Sequence, residues 1–290
     1  MSISHSKSEN KGSFKMAKTL IPKGYKWALC ISHDVDHLKH YFGPNLAKFW
    51  GVSFIELLYG RTTFNSFAES IKNSFNKKSD SWNQAEILAS INRKYKIPAT
   101  FFFAVKKGKG VEYGNEEIEE AISKLSGFEI GVHGQSCTNI FLIEQEFGSM
   151  RRILGKPPIG MRMHYLRWAA QTADLLKRAG YLYDSTEFNE NLKQPYKMYN
   201  GLVEIPLHIM DTYFFSPFYR NFTLTDAKEF TLRLIARARK EKKVLNILFH
   251  LRHLAPEFQR QRDYYLWLLE LSKNDKTCYK ISLGEIAKKL

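Results

Sequence analysis

Two aspartates stand between two histidines near the start of the chain, in the segment HDVDH (33–37), one residue after the apolar run 28–31. Asp34 and Asp36 are two positions apart, so their side chains share one face of an extended segment. Carboxylates and imidazoles bind zinc and similar divalent ions. One carboxylate can therefore hold a metal while the other accepts a proton from water, whose pKa a bound metal lowers toward about 7. The pattern indicates a hydrolytic metal site.

Polar side chains also follow five later apolar runs of the chain. They are His133, Arg162 with His164, Asp184, His208 with Asp211, and His250. Parallel α/β folds bind ligands at the carboxyl ends of their strands, so we expect these residues at one common rim. One such histidine would be typical of a structural hydrogen bond, but six strand ends of this kind favour a shared site. Within the set, Asp184 is interpreted as a turn residue and His208 as a core histidine.

The elements that must position these residues alternate along the sequence. Strands are predicted at 27–33, 99–105, 128–133, 159–162, 181–184, 202–207, 244–250 and 278–282, and helices at 81–95, 115–125, 169–181 and 225–243. This alternation predicts an α/β fold with a parallel sheet, open or closed into a barrel. Residues 37–80 interrupt it as a helical insertion. We expect a flexible basic arm over 1–22 and a single domain over 23–290.

Composition limits the partners and the compartment. The net charge of +15 over 290 residues favours an anionic partner, but no nucleic-acid-binding motif accompanies it, so nucleic acid is not expected. The three cysteines Cys30, Cys137 and Cys278 show no disulfide framework, which is typical of a reducing compartment. The sequence has no apolar run typical of a signal peptide or long enough to span a membrane, so a cytoplasmic location is predicted. A peripheral position at the inner face of the membrane is the alternative.

Seven segments together resemble the polysaccharide deacetylases of carbohydrate esterase family 4, in a divergent bacterial subgroup. They are SHDVD (32–36), PATFFF (98–103), EIGVHG (129–134), GMRMHYLRW (160–168), AGYLYDST (179–186), VEIPLHIMD (203–211) and ILFH (247–250). Their order and spacing carry the resemblance. It implies a distorted (β/α) barrel of about seven parallel strands and removal of N- or O-acetyl groups from sugars.

The resemblance also implies roles for individual residues. Asp34 would be the general base, with Arg162 steadying it, and His250 would be the general acid. Asp36 and His133 would bind a divalent metal, for which zinc is the expectation. Tyr165, Trp168 and Asp211 are predicted to contact the substrate, although Asp211 could equally hydrogen-bond a loop near the site.

One position departs from the family pattern. The metal motif normally continues to a second histidine four residues after the first, but this chain has Cys137 there. Three alternatives remain open. Cys137 could bind the metal as a thiolate, His164 could complete the site from the next strand end, or metal binding could be weak or absent.

The function predicted from these observations is that of a metal-dependent hydrolase. It would remove acetyl groups from an aminosugar or a cell-surface polysaccharide precursor. The alternative, supported by Cys137, is a non-catalytic protein of the same fold that binds glycan or an anionic membrane surface.

Overall fold

The computed structural model describes residues 20–39, 44–75, 82–108, 110–111 and 113–290. Most of the predicted arm, residues 1–19, lies outside the described residues, as do parts of the predicted insertion. In its described part, the insertion contains the helices α1 (Pro44–Leu58) and α2 (Phe64–Phe75).

A mostly parallel sheet curls into a half-barrel. Its strands are β1 (Trp27–Val35), β2 (Thr100–Phe103), β3 (Glu129–Gly134), β4 (Gly160–Met163), β5 (Tyr183–Asp184), β6 (Tyr196–Lys197), β7 (Val203–Glu204), β8 (Ile209–Met210), β9 (Val244–Leu248) and β10 (Cys278–Lys280). Their order is β6-β7-β5-β4-β3-β2-β1-β9-β8, and β10 also pairs with β1. Only the β6–β7 pair is antiparallel among the pairs of named strands in the described residues. The predicted (β/α) barrel-like fold is confirmed.

Helices surround this sheet. The remaining ones are α3 (Ala85–Lys94), α4 (Asn115–Ser123), α5 (Ile140–Leu154), α6 (Thr172–Ala179), α7 (Asp211–Phe215), α8 (Leu224–Glu241), α9 (Gln259–Asn274) and α10 (Leu283–Lys289). Helix α8 begins one residue before its predicted start because Thr223 caps it, with its hydroxyl accepting from the Asp226 N–H at 3.1 Å. No helix in the described part of the chain has the length and apolar character needed to cross a membrane.

The central strand β1 is buried along its whole length, and its two faces serve different purposes. Leu29 and Ile31 pack into the large core cluster, whereas Ala28 and Cys30 belong to a smaller cluster on the other face. The alternation of a strand continues this second face through positions 32, 34 and 36. Asp34 and Asp36 therefore share one face of the segment that ends β1, as predicted, and apolar packing fixes their backbone.

Candidate active site

Asp36, His133 and His164 form a compact group at the carboxyl ends of β1, β3 and β4. Asp36 Oδ1 lies 3.1 Å from His133 Nε2 and 3.3 Å from His164 Nδ1. The two imidazole nitrogens are 3.0 Å apart. All three residues line a cavity of about 450 Å³, together with Asp34 and His250. The sequence-predicted residues of four separate segments thus meet at one place.

The donor set of this group fits a divalent metal. His133 Nδ1 lies 2.9 Å from the Arg162 carbonyl oxygen, so a proton on Nδ1 leaves the Nε2 lone pair directed toward Asp36. Asp36 Oδ1 is buried and has no well-aligned hydrogen bond among the described residues. Ligand atoms around a tetrahedral zinc lie roughly 3.3 Å apart, close to the separations observed here. Two imidazoles and a carboxylate occur together in catalytic metal sites, so these residues can hold a divalent ion.

Charge stabilisation inside the group agrees with this fit. Burial acts to raise the pKa of Asp36, but close contacts with His133 and His164 outweigh it and hold that pKa well below its ordinary value. Burial acts to lower the pKa of His133, and the negative charges of Asp34 and Asp36 raise it instead. The Asp36 carboxylate is therefore ionised and available as a ligand at neutral pH.

A strained turn presents His164 to the site. The two residues after it, Tyr165 and Leu166, have φ angles of 58° and 50°, in the left-handed region that side-chain-bearing residues rarely adopt. Cys137 lies instead in the loop before α5, where its side chain packs against the apolar core, and it belongs to none of the metal-ligand groups in the described residues. Of the three alternatives for the departing position, the geometry favours His164 and not the Cys137 thiolate.

Asp34 is held by a buried guanidinium. Arg162 Nη1 donates to Asp34 Oδ1 at 3.0 Å and to Ser32 Oγ at 2.8 Å. Its Nε donates to the Ser185 carbonyl oxygen and its Nη2 to the Ser185 hydroxyl, both at 2.9 Å. The guanidinium also stacks over the Phe102 ring at 4.7 Å. With four hydrogen bonds fixing Arg162, the Asp34 carboxylate faces the cavity in one orientation.

His250 forms a tight pair with Asp211. Asp211 Oδ1 accepts from His250 Nδ1 at 2.6 Å, and Asp211 Oδ2 accepts from the His250 backbone N–H and from His253 Nδ1, each at 2.7 Å. His250 Nε2 lies 3.5 Å from Asp36 Oδ2. Burial acts to lower the pKa of His250, but the Asp211 charge and hydrogen bond outweigh it and raise that pKa to about 9.

The assignment of Asp211 as a substrate contact is corrected by this geometry. Asp211 is fully buried, and both of its oxygens hold histidines, so it orients His250 and does not face the cavity. Sequence reasoning also gave His253 no role. The spacing of 39 residues between Asp211 and His250 carries no local signal for this pair, because only the adjacency of β8 and β9 brings them together.

The two aromatic residues predicted to contact the substrate line different cavities, and these cavities have lining residues in common. Tyr165 is 60% exposed and borders the metal-site cavity. Trp168 borders a second cavity of about 380 Å³, whose other aromatic lining residues are Phe188 and Tyr196. Leu166 and Phe188 line both cavities. A substrate that reaches the metal site could therefore extend onto the indole ring.

Two further strand-end residues are structural, as interpreted from the sequence. Asp184 accepts from the Thr186 N–H and hydroxyl at 2.8 Å each, and it contacts the buried Glu204, whose pKa burial and the Asp184 charge raise well above its ordinary value. His208 is buried between two strand segments, with Nδ1 accepting from the Asn246 N–H at 2.9 Å. Neither residue belongs to the metal-ligand group.

Comparison with solved structures places this architecture among known folds. A protein assigned as a polysaccharide deacetylase from Mycobacterium smegmatis matches with a TM-score of 0.64 at 18% identity, over 92% of this chain and 91% of that one. Puue allantoinase matches with 0.63 at 16% identity, over 92% and 91%. A further assigned polysaccharide deacetylase, from Pseudomonas aeruginosa PAO1, matches with 0.61 at 15% identity, over 91% of each chain.

These similarities show that the chain has the polysaccharide deacetylase fold, as the sequence motifs predicted. No protein-family model matches the chain, and no curated protein matches it in sequence. Because the neighbours include an allantoinase, the fold alone does not define the substrate.

Proposed function

We propose that the protein is a metal-dependent hydrolase that removes acetyl groups from a sugar. The observation that carries this proposal is the convergence of a metal-ligand trio, an Arg-held carboxylate and an Asp-held imidazole on one cavity. The ligand trio would be Asp36, His133 and His164, and the metal would be zinc.

The chain's own residues would divide the chemistry between a base and an acid. The bound cation would supply Lewis acidity to the acetyl carbonyl and to the attacking water. Asp34, kept in place by Arg162, takes the proton that this water loses as its oxygen bonds to the carbonyl carbon. His250 donates a proton to the departing nitrogen or oxygen as the bond from the acyl carbon breaks. The products are acetate and the free amine or alcohol.

Substrate placement follows from the two joined cavities. The acetyl group occupies the cavity beside Asp34 and His250, with Tyr165 at its border. The sugar ring extends past Leu166 toward Trp168, where an aromatic face can stack against it. A polysaccharide precursor or an acetylated aminosugar is the substrate class that this arrangement and the deacetylase neighbours support.

The test is acetate release from acetylated aminosugars and oligosaccharides by zinc-loaded protein. We expect Asp34→Asn to lower the rate by roughly 10²–10⁴-fold, because it removes the base while keeping the shape of the side chain. The exposed Asp174→Asn should leave the rate unchanged. An unchanged rate in Asp34→Asn would refute the base assignment. Binding of these sugars without any release by the parent protein would favour the non-catalytic alternative.

A further inference from the structure

Helix α1 exposes an apolar stripe. Positions 47, 51, 54, 55 and 58 recur at helical spacing and are all exposed, and they hold Ala, Gly, Phe, Ile and Leu. Phe54 and Ile55 are each 49% exposed, and Leu58 is 70% exposed. A helix on the surface of a globular protein normally directs such a stripe into the core. The stripe of α1 faces outward over three turns.

Helix α2 shows the same inversion. Its exposed stripe is Phe64, Ala68, Lys72 and Phe75, with the two phenylalanines 70% and 72% exposed. Its buried side chains are Ser66, Ser70 and Ser74. The helix therefore directs its hydroxyl groups inward and most of its apolar side chains outward. Packing within this chain alone would favour the opposite orientation, because burial of apolar surface is stabilising.

The two stripes adjoin each other. The Trp50 ring lies 5.6 Å from the Phe75 ring, and the Phe54 ring lies 6.0 Å from the Phe67 ring. Trp50 Nε1 also donates to Ser74 Oγ at 3.0 Å. We call the exposed apolar side chains of this hairpin the α1–α2 surface. It comprises Phe54, Ile55, Leu58, Tyr59, Phe64 and Phe75.

The two most exposed charges of α1 and α2 are positive, although each helix also carries one glutamate. The exposed ionisable residues of the described parts of α1 and α2 are Lys48 and Lys72. The two acidic residues of these helices are not fully exposed: Glu56 pairs with the buried Arg260 at 3.0 Å, and Glu69 is partly buried beside Lys72 at 3.2 Å. Apolar side chains flanked by cations match an anionic lipid surface. A second copy would oppose the same cations, in a chain of net charge +15.

The hairpin also adjoins the candidate active site. A groove between them is lined by Phe49 and Val52 of α1 and by Thr212 and Arg252, and the latter two also line the metal-site cavity. These α1 residues lie on the face opposite to the exposed stripe, so α1 separates that stripe from the substrate entrance.

We propose that the α1–α2 surface inserts into the interface of an anionic lipid bilayer and docks the protein there. Phe54, Ile55 and Leu58 enter the boundary between headgroups and acyl chains, while Lys48 and Lys72 contact the lipid phosphates. The docked protein would then meet an acetylated sugar carried on a lipid, and this step rests on the proposed function. The docking itself rests on this surface alone.

The test is co-sedimentation of the full chain with phosphatidylcholine vesicles, with and without phosphatidylglycerol. We expect binding to the anionic vesicles and weaker binding to the neutral ones. The triple variant F54S/I55S/L58S should lower the partition coefficient about tenfold or more, because three apolar insertions are lost. The matched control is Phe141→Ser on α5, a side chain 77% exposed but distant in sequence from the hairpin, which should bind like the parent.

A charge-reversal variant covers the case in which the triple variant misfolds. K48E/K72E keeps the apolar stripe and should lose the preference for anionic over neutral vesicles. Parent protein that stays in the supernatant with anionic vesicles would overturn the proposal, and so would equal binding by the folded triple variant. If the parent protein is a dimer in solution and the triple variant is a monomer, the α1–α2 surface is an interface with a second copy instead. Acetate release from soluble sugars, assayed without vesicles, tests the proposed function separately.

Discussion

Asp34 and Asp36 carry the same carboxylate two residues apart, yet their surroundings give them different chemistry. Asp34 has a guanidinium at 3.0 Å, which fixes its position. Asp36 has imidazole nitrogens at 3.1 and 3.3 Å and a buried oxygen without a well-aligned hydrogen bond among the described residues. The first arrangement suits a proton acceptor and the second suits a metal ligand, so neighbouring side chains, rather than residue type, separate the two roles.

The identity of the third ligand can be tested directly. We expect His164→Gln to lower zinc affinity by about 10-fold to 100-fold or more, because it removes a nitrogen that lies 3.0 Å from His133 Nε2. Cys137→Ser should leave zinc affinity unchanged, because this side chain packs against the core. Competition with a chromophoric chelator measures both affinities. The opposite ranking of the two variants would restore Cys137 as the ligand.

The pairing of His250 with Asp211 predicts a pH dependence. The folded chain holds the pKa of His250 near 9, above its ordinary value of 6.5, so this pair contributes stability that is complete below about pH 6.5 and is lost as the pH rises through about 9. Asp211→Asn removes the charge, and burial then lowers the pKa of His250. NMR titration of the imidazole protons in metal-free protein measures the shift.

His253 provides an internal reference for that titration. Burial lowers the pKa of His253 to about 4, although its Nδ1 contacts the same Asp211 carboxylate as His250. The His250 imidazole should therefore titrate near pH 9 and the His253 imidazole near pH 4. Asp174→Asn, at an exposed position, serves as the matched control. If His250 titrates at the same pH with and without the Asp211 carboxylate, the pairing does not govern its proton.

At the scale of elements, continuous apolar runs made the strands predictable. Each of the eight predicted strand segments overlaps a strand of the sheet. The two-residue strands β6 and β8 were missed, whereas the equally short β5 and β7 were found because they lie within the longer predicted segments 181–184 and 202–207. Helix α5 was missed because apolar residues at its start, including the exposed Phe141, obscure its amphipathic spacing.

The candidate site was predictable to the same degree as its strands. Asp34, Asp36, His133, Arg162 and His250 lie at or just after the ends of predicted strands, and the structure brings all five together. The contacts of Asp211 depend on tertiary neighbours, and the position of His164 depends on a left-handed turn of two non-glycine residues. Neither leaves a local pattern in the sequence.

The junction between β3 and α5 holds a buried acid that the proposed mechanism does not use. Glu146 Oε1 accepts from the Gln135 N–H at 3.0 Å, and its other oxygen has no hydrogen-bond partner in the described chain. Burial raises the pKa of Glu146 from 4.5 to about 7. Between these values the folded chain binds more protons than the unfolded chain, so this group makes the free energy of unfolding fall as the pH rises.

We therefore expect Glu146→Gln to stabilise the protein at about pH 8, by up to about 3 kcal/mol, and to change stability little at about pH 4. The amide keeps the acceptor for the Gln135 N–H but carries no charge to desolvate. Urea unfolding at both pH values measures the difference. Glu144→Gln, at an exposed position of the same helix, should have little effect at either pH. A destabilised Glu146→Gln at the higher pH would contradict the burial argument.

At the scale of the whole molecule, the metal group connects distant parts of the chain. Asp36, His133 and His164 lie at the carboxyl ends of β1, β3 and β4, and these strands form part of one continuous sheet with β2 between the first two. The unfolded chain lacks this arrangement, so metal binding and folding are linked. Deprotonated imidazoles are the ligands, and protons compete with the metal for them.

This linkage predicts how metal changes the stability of the whole protein. Zinc at about 100 times its dissociation constant should raise the free energy of unfolding by about 2.7 kcal/mol, because it binds the folded chain and not the unfolded one. The gain should shrink between about pH 8 and about pH 5, as protons compete with zinc for its ligands. Thermal unfolding with and without zinc at both pH values measures it. His133→Ala should remove the zinc-dependent shift, because it deletes one of the three ligands. A zinc-dependent shift that survives in this variant would mean that the stabilising ion binds elsewhere, and the trio would then not be the metal centre.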